Sequence, residues 1–158
     1  MIRIMFVCHG NICRSPMAEF IFGDMIKKQG LEKEFTISSS ATSTEEIWNG
    51  IGNPVYPPAK AELAKHGLSS DGKRAVQLKK RDYEKYDYFI GMDNANIRNM
   101  MRVFDGDSAN KISKLMDYTD RGGDVADPWY SRRFDIAYRD IHDGCEALLK
   151  KLLGHEYG

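Results

Sequence analysis

The stretch VCHGNICRSP at residues 7–16 decides the fold of this chain. Ahead of it, residues 2–7 form a nearly continuous apolar and β-branched run, which is typical of a buried parallel strand. Behind it, Ser15 offers a capping hydroxyl and Pro16 suits the first position of a helix. The pattern therefore predicts a strand, an anion-binding loop and a helix, with Cys8 at the carboxyl end of the strand, facing the amino end of the helix.

The loop between Cys8 and Arg14 predicts a cradle for a tetrahedral oxyanion. Its backbone N–H groups have no obvious partners in secondary structure, and Gly10 and Asn11 tolerate positive φ, so several amides can point at one spot. Arg14 adds a guanidinium that can grip two oxygens of an anion. Because the same positive surroundings favour a thiolate at Cys8, a nucleophile and an oxyanion site would share one loop.

The spacing of Cys8 and Arg14 alone is a weak signal, since such a pair occurs by chance. Its strength comes from the hydrophobic strand before it, the internal Gly-Asn pair and the Ser-Pro helix start after it, because a motif counts only in its structural context. The alternative interpretation of Cys8 is a small buried hydrophobic residue.

Composition favours one ordinary globular domain over residues 1–158. Hydrophobic residues make up 42% of the chain and charged residues 29%, with a formal net charge of zero. This balance predicts no broad attraction to nucleic acid or to membranes. No opening segment resembles a secretion signal, and three cysteines, an odd number, fit reduced thiols better than disulfides, so a cytoplasmic location is expected.

Strand and helix patterns alternate along the chain. Strands are predicted at 2–7, 35–39, 86–92 and 111–116, and helices from 15 to about 30, over 59–67, around 97–104 and over 134–153. Residues 41–58 look like a long loop, and residues 80–84 like a short helical turn. This alternation predicts a single doubly wound α/β domain, with a central four-stranded parallel sheet flanked by helices and a phosphate-binding loop after the first strand.

A second candidate for chemistry lies in the loop that ends in Asp127-Pro128-Trp129-Tyr130. An Asp-Pro pair usually marks only a turn. Beside a thiolate that attacks a phosphate ester, however, Asp127 is a suitable general acid for the departing oxygen. Pro128 would stiffen its approach, and Trp129 and Tyr130 would offer walls for a flat aromatic substrate.

The chain resembles the low-molecular-weight protein tyrosine phosphatases, on the Cys-x5-Arg-Ser loop at 8–15 and the Asp-Pro-aromatic-aromatic segment at 127–130. The similarity runs along the whole length. It implies hydrolysis of phosphotyrosine proteins or small aryl phosphates through a phosphocysteine intermediate, without metal or cofactor, and inhibition by phosphate-like oxyanions. The four histidines show no ligand spacing with the cysteines, and the oligomeric state stays open.

The resemblance also implies roles for individual residues. Catalysis falls to Cys8, Arg14 and Asp127, and the phosphate-binding loop comprises His9, Gly10, Asn11, Ile12, Cys13 and Ser15. Residues expected to support the loop are Ser39, His66 and Asp93, of which Asp93 also suits a helix cap. Expected contacts to the substrate ring are Glu45, Trp48, Trp129 and Tyr130. His9 stands where the family more often has an apolar residue or threonine, and residues 48–51 look like an insertion.

The remaining cysteines have separate expectations. The resemblance implies a reversible Cys8–Cys13 disulfide that protects the nucleophile from over-oxidation. Cys145 lies on the inward stripe of the last predicted helix and is expected in the core.

Three alternatives stay open at this point. Arsenate reductases of the same fold need two further cysteines for their relay, and Cys145 does not match that position. Protein arginine phosphatases tend to carry threonine where this chain has Ile12, and they lack the paired aromatic residues after Asp-Pro. A phosphopeptide-binding module without turnover would need neither a nucleophile nor an acid.

Overall fold

A four-stranded parallel sheet forms the centre of the computed structural model, which describes residues 1–157 and the side chains of residues 1–154. In chain order the elements are β1 (Ile2–Cys8), α1 (Arg14–Lys28), β2 (Phe35–Ala41), β3 (Ile47–Trp48), β4 (Ile51–Gly52), α2 (Pro57–Lys65), β5 (Tyr88–Gly91), α3 (Asn94–Phe104), β6 (Ile112–Lys114), α4 (Pro128–Ser131) and α5 (Phe134–Tyr157). Two 3-10 helices lie at Lys80–Glu84 and Leu115–Tyr118. None of the helices within the described residues is long and apolar enough to cross a membrane.

The strand order β2-β1-β5-β6 places β1 inside the sheet, paired in parallel with β2 on one side and β5 on the other. The chain therefore changes its winding direction at β1, and such a switch point leaves a crevice outside the carboxyl ends of the strands. Cys8 ends β1 at this crevice. The predicted doubly wound α/β architecture is confirmed.

Alternate residues of β1 point into two separate cores. Ile4 and Phe6 belong to the larger core with α1 and α5, whereas Met5 and Val7 pack on the other face beside α3. On the larger side, the ring of Phe22 lies 5.9 Å from that of Phe6, edge to face. Burial of each such aromatic side chain stabilises the fold by about 1.5–3 kcal/mol, so both faces hold β1 in place.

The predicted inward stripe of α5 is confirmed. Its members are all buried: Phe134, Ala137, Ile141, Cys145, Leu148 and Leu152. Helix α3 buries Met100 and Phe104, whereas Met101 is 41% exposed.

Three segments differ from the sequence prediction. Residues 128–131, at the end of a predicted loop, form the short helix α4. Residues 47–52, predicted as loop, form the antiparallel hairpin β3–β4, whose turn residues Asn49 and Gly50 have φ of 50° and 75°. An Asn-Gly pair of this kind is the usual signal for a two-residue hairpin, so the sequence did contain the cue. The fourth strand of the main sheet ends at Lys114, and the rest of the predicted strand turns into the 3-10 helix at Leu115–Tyr118.

Candidate active site

Cys8 lies at the junction of β1 and the loop that leads into α1, and it is only 4% exposed. The backbone N–H of Asn11 donates to Cys8 Sγ at 3.3 Å, and the hydroxyl of Ser15 lies 3.0 Å from the same sulfur. α1 begins at Arg14, so its amino end opens beside the sulfur. The N–H of Asn11 and the positive amino end of α1 both face this sulfur.

Ser15 does not cap α1 as the sequence predicted. Cys13 occupies the capping position, and no side chain bonds to the free N–H groups there. The Ser15 hydroxyl is buried and points back into the loop, where it meets the Cys8 sulfur and the side-chain amide of Asn11. These contacts replace the cap, because a hydroxyl without solvent access has to find its partners nearby.

Asn11 adopts the left-handed conformation, with φ of 60°, and is 1% exposed. Its Nδ2 donates to Ser15 Oγ at 2.8 Å and to Ser39 Oγ at 3.0 Å, and its Oδ1 accepts from the backbone N–H of Val76 at 3.0 Å. Three hydrogen bonds thus offset a conformation that costs about 1–3 kcal/mol in a non-glycine residue. Ser39, predicted as a support of the loop, contacts Asn11 directly.

His66, predicted as a further support of Asn11, does not contact it. Its Nε2 pairs with Glu62 Oε2 at 3.2 Å, and its ring stacks on Tyr138 with centroids 3.7 Å apart. His66 follows the last residue of α2, so it is held at the packing of α2 against α5.

Ser39 instead has Glu19 and Lys73 behind it. Ser39 Oγ donates to Glu19 Oε1 at 2.5 Å, and Lys73 Nζ donates to the carbonyl oxygen of Ser39 at 3.0 Å. From the sequence, neither Lys73 nor Glu19 was predicted to support the loop. No local pattern marks either residue for this role, since Lys73 and Ser39 are 34 positions apart.

Arg14 joins three parts of the chain at the bottom of the cleft. It is 4% exposed, and its guanidinium donates to the carbonyl oxygen of Val125 at 2.9 Å. Its Nη2 lies 2.9 Å from Asp93 Oδ2 and 3.6 Å from Asp127 Oδ2. The guanidinium is therefore oriented by two carboxylates and one carbonyl before any anion binds.

Asp93 combines the two roles that the sequence suggested. Its Oδ1 accepts from the backbone N–H of Asn96 at 2.9 Å and so caps α3, while its other carboxylate oxygen faces Arg14. A helix cap of this kind contributes about 1 kcal/mol and also fixes the position of the carboxylate.

Asp127 precedes the short helix α4 and caps it, because its Oδ1 accepts from the backbone N–H of Trp129 at 3.0 Å. Its side chain is 37% exposed and reaches the same cleft as the Cys8 sulfur. The fold therefore brings distant parts of the chain together, since the Cys8 sulfur, the Arg14 guanidinium and the Asp127 carboxylate all face one cavity.

The cleft has a volume of about 510 Å³ and opens at the carboxyl end of the sheet. It is lined by Cys8, His9, Gly10, Ile12, Cys13, Arg14, Glu45, Glu46, Asp93, Ala95, Asn96, Asn99, Asp127, Trp129 and Tyr130. At its mouth, His9 Nε2 lies 3.0 Å from Glu45 Oε2. Glu46, Ala95, Asn96 and Asn99 are lining residues that sequence reasoning did not single out.

Trp48, predicted as a contact to the substrate ring, does not line the cleft. The residue is 79% exposed and stands next to the Asn-Gly turn of the β3–β4 hairpin. Trp129 and Tyr130 do line the cleft, with exposures of 45% and 84%.

The other two cysteines are buried and unpaired. Burial, with a smaller effect from the nearby Cys8 charge, raises the pKa of Cys13 to about 12. Burial also raises the pKa of Cys145 well above its usual value. Among the described residues, no cluster of three or more His, Cys, Asp or Glu side chains could hold a metal ion; the side chain of His155 lies outside them.

A fold with a cysteine and an arginine at the switch point of a parallel sheet, and a carboxylate across the cleft, defines a class of cysteine-dependent phosphatases. The family model for low molecular weight phosphotyrosine protein phosphatases matches residues 3–156. The chain is 38% identical over 154 residues to the low molecular weight protein-tyrosine-phosphatase YfkJ of Bacillus subtilis, covering 96% of each.

Solved structures agree with this match. The crystal structure of YfkJ has a TM-score of 0.92 at 37% identity, covering 98% of this chain and 96% of that one. The structure of SP-PTP, a low molecular weight protein tyrosine phosphatase from Streptococcus pyogenes, has a TM-score of 0.85 at 34% identity, covering 99% and 97%. The chain belongs to the low molecular weight phosphotyrosine protein phosphatase family, as the sequence predicted.

Proposed function

We propose that the cleft hydrolyses phosphotyrosine in proteins, and small aryl phosphates, through a phosphocysteine intermediate. The observation that carries the proposal is the convergence of Cys8, Arg14 and Asp127 on one cavity, with Arg14 Nη2 only 3.6 Å from the Asp127 carboxylate. A binding module would need the arginine but neither the sulfur nor the acid.

The loop and the start of α1 bind the phosphoryl group. Backbone N–H groups between His9 and Ser15 and the guanidinium of Arg14 hold its equatorial oxygens, as helix amino ends and arginine forks hold phosphate elsewhere. The same donors stabilise the charge that spreads over these oxygens in the transition state. Phosphate-like oxyanions therefore act as competitive inhibitors.

In the first step the Cys8 thiolate attacks phosphorus in line with the leaving oxygen. A phosphorus–sulfur bond forms while the bond from phosphorus to the phenol oxygen breaks. Asp127, in its acid form, donates its proton to the departing oxygen, so the product leaves as a neutral phenol.

In the second step water attacks the phosphocysteine, and Asp127 accepts its proton. The phosphorus–sulfur bond breaks and its electron pair returns to sulfur. The N–H of Asn11 and the hydroxyl of Ser15, at 3.3 and 3.0 Å from the sulfur, stabilise the thiolate as it leaves. Inorganic phosphate is released, and no metal enters either step.

The aromatic lining favours phosphotyrosine over phosphoarginine. Trp129 and Tyr130 flank the cleft, and Ile12 supplies an apolar surface inside the loop. An arsenate relay lacks support, because Cys145, the one further thiol outside the loop, is fully buried. The deciding experiment compares phosphotyrosine peptides, phosphoarginine peptides and arsenate as substrates in metal-free buffer. Faster turnover of phosphoarginine, or reduction of arsenate, would reject the proposal.

We propose that peroxide joins Cys13 to Cys8 as a reversible disulfide: peroxide oxidises the Cys8 sulfur to a sulfenic acid, and the Cys13 thiol then attacks that sulfur and releases water. Both thiols line the same cleft, and a reducing compartment such as the cytoplasm, where we place the enzyme, would restore them. Peroxide should inactivate the enzyme in a way that dithiothreitol reverses, and the Cys13→Ser variant should lose this recovery. Irreversible inactivation of the unmodified protein contradicts the role.

A further inference from the structure

Tyr56 joins the two sides of the cleft, although it does not line the cleft itself. Its backbone N–H donates to the carbonyl oxygen of Ile12, in the phosphate-binding loop, at 2.9 Å. The centroid of its ring lies 4.9 Å from that of Trp129 and 6.0 Å from that of Phe134. The backbone of Tyr56 is therefore tied to the loop, while its side chain packs against the aromatic wall on the opposite side.

Arg132 holds the outer end of the Tyr56 side chain. Its Nη1 donates to the hydroxyl oxygen of Tyr56 at 3.0 Å, and the carbon of its guanidinium lies 5.7 Å from the centre of the Trp129 ring. A guanidinium at this distance is attracted to the face of an indole. Tyr56 and Arg132 thus contact each other and both contact Trp129, and we call these two residues the brace.

The backbone of Arg132 is held in a conformation that its residue type does not favour. Arg132 follows α4 in the left-handed conformation, with φ of 61°. Glycine suits this conformation better, because a residue with a Cβ is strained at positive φ. Strained residues persist where surrounding contacts hold them, and they cluster at functional sites. In the part of the chain that the structure describes, the side chain of Arg132 has two partners, Tyr56 and Trp129.

Trp129 depends on such support, because its own segment cannot hold it. The residue is 45% exposed and stands on α4, a helix of four residues. Helices this short are not stable by themselves in water. An indole that is free to move has to be ordered each time a substrate binds, and this cost weakens the binding. An indole that is already fixed binds the substrate ring without that cost.

We infer, on the basis of the proposed function, that Tyr56 and Arg132 are positioning residues that fix the indole of Trp129 as the wall for the substrate ring. They act through Trp129 and do not touch the substrate. The brace therefore sets the affinity for the aryl group and not for the phosphoryl group. Inorganic phosphate, which contacts the loop and Arg14, should bind equally well with or without the brace.

The test measures KM for a phosphotyrosine peptide with uncharged neighbouring residues, together with the inhibition constant of inorganic phosphate. Neither constant depends on the fraction of the enzyme that is folded. The variants are Tyr56→Leu, which removes the ring and its hydroxyl, and Arg132→Gly, which removes the guanidinium and suits the positive φ. Each variant is made in the unmodified protein and again in Trp129→Ala. The matched control is Arg133→Ala, which removes the neighbouring arginine from an exposed ion pair with Asp135.

In the unmodified protein, Tyr56→Leu and Arg132→Gly should each raise KM about threefold, a smaller effect than loss of the indole itself. The inhibition constant of phosphate should not change. In the Trp129→Ala protein neither variant should raise KM further, because a residue that acts through Trp129 has no effect once the indole is gone. Arg133→Ala should match the unmodified protein.

A KM that neither Tyr56→Leu nor Arg132→Gly changes overturns the positioning role. A rise that persists in Trp129→Ala also overturns it, since the residue would then act without the indole. Weaker inhibition by phosphate, or an equal rise of KM in Arg133→Ala, would show that the variants disturb the whole site and likewise counts against the brace. An unmodified protein that does not hydrolyse the phosphotyrosine peptide rejects the proposed function, and the positioning role with it.

Discussion

The two halves of the active site differ in how deeply they are built into the fold. Cys8, Asn11, Arg14 and Ser15 are at most 4% exposed, and each has hydrogen-bond partners inside the protein. Across the cleft, the exposure rises from 37% for the Asp127 side chain to 84% for Tyr130. We call these the nucleophile half and the acid half.

The acid half is nevertheless tied to the core at one point. Val125 is 1% exposed, its N–H donates to the carbonyl oxygen of Met92 at 3.0 Å, and its own carbonyl accepts from Arg14. Asp127 follows two residues later and projects into the cleft. The Cys8 sulfur is therefore positioned by the interior, whereas Asp127 and the aromatic residues after it stand on a surface segment anchored just behind them. Changes in the nucleophile half should remove the reaction, and changes in the acid half should alter it according to the substrate.

The largest effect is expected from Cys8→Ser, because a serine hydroxyl is a far weaker nucleophile than a thiolate at neutral pH. We expect turnover of p-nitrophenyl phosphate in metal-free buffer to fall at least about 1,000-fold. Cys145→Ser, which changes the buried cysteine of α5, should retain turnover per folded molecule. Unchanged turnover in Cys8→Ser would show that the nucleophile half does not carry the reaction.

Asp127→Asn should lower kcat/KM for phenyl phosphate about 100-fold, because this constant reports the step in which the phenol leaves, and the departing phenolate no longer receives a proton. The loss should be smaller for p-nitrophenyl phosphate, whose phenol is more acidic and leaves more readily as an anion. Asp124→Asn is the matched control, since Asp124 lies in the same segment but pairs with Lys114. An equal loss for both substrates would show that Asp127 acts on binding or folding and not as the acid.

Trp129→Ala should raise KM for a phosphotyrosine peptide about five- to tenfold, since the contact of two aromatic rings contributes about 1 kcal/mol. Trp48→Ala removes the same side chain from the β3–β4 hairpin, outside the cleft, and should leave KM unchanged. Steady-state kinetics with one phosphotyrosine peptide measure KM for both variants. A rise in KM in Trp48→Ala as large as that in Trp129→Ala would restore the sequence-based assignment of Trp48 as a contact to the substrate ring.

The last expected effect concerns stability at alkaline pH, not activity, and tests how buried the nucleophile half is. Burial raises the pKa of Cys13 from 9.0 to about 12, with a smaller contribution from the Cys8 charge. Below pH 9 the folded and unfolded chains both keep this proton, so the contribution of Cys13 to stability is complete. Above pH 9 the unfolded chain loses the proton first, and stability falls by up to about 1.4 kcal/mol per pH unit until the folded pKa is passed.

The Cys13→Ala variant should therefore show a shallower fall in the free energy of unfolding between pH 8 and pH 10.5 than the unmodified protein. Urea unfolding at several pH values measures the slope, which is independent of any constant loss from the smaller side chain. Parallel slopes for the two proteins would mean that Cys13 reaches solvent in the folded state.

Much of the fold was predictable because its signals are local. The apolar run of β1, the stripe of α5 and the alternation of strands and helices each follow from residues close in sequence. Ser15 shows the limit of such signals. A hydroxyl before a proline predicts a helix cap, yet the Ser15 hydroxyl bonds instead to the buried Cys8 sulfur and the Asn11 amide. Trp48 shows a different limit: Asn49-Gly50 signalled its hairpin, but nothing local signalled that the hairpin lies outside the cleft lining.

The sequence by itself determined the strand, loop and helix around Cys8 and the class of the fold, and it suggested the roles proposed for Cys8, Arg14 and Asp127, because these depend on residue types within short motifs. Only the tertiary structure decided which residues hold that chemistry in place. Arg14 and Val125 are 111 positions apart, and Asn11 and Val76 are 65 apart. Contacts at such separations depend on how the parallel strands bring distant loops to one edge of the sheet, and no local pattern encodes that.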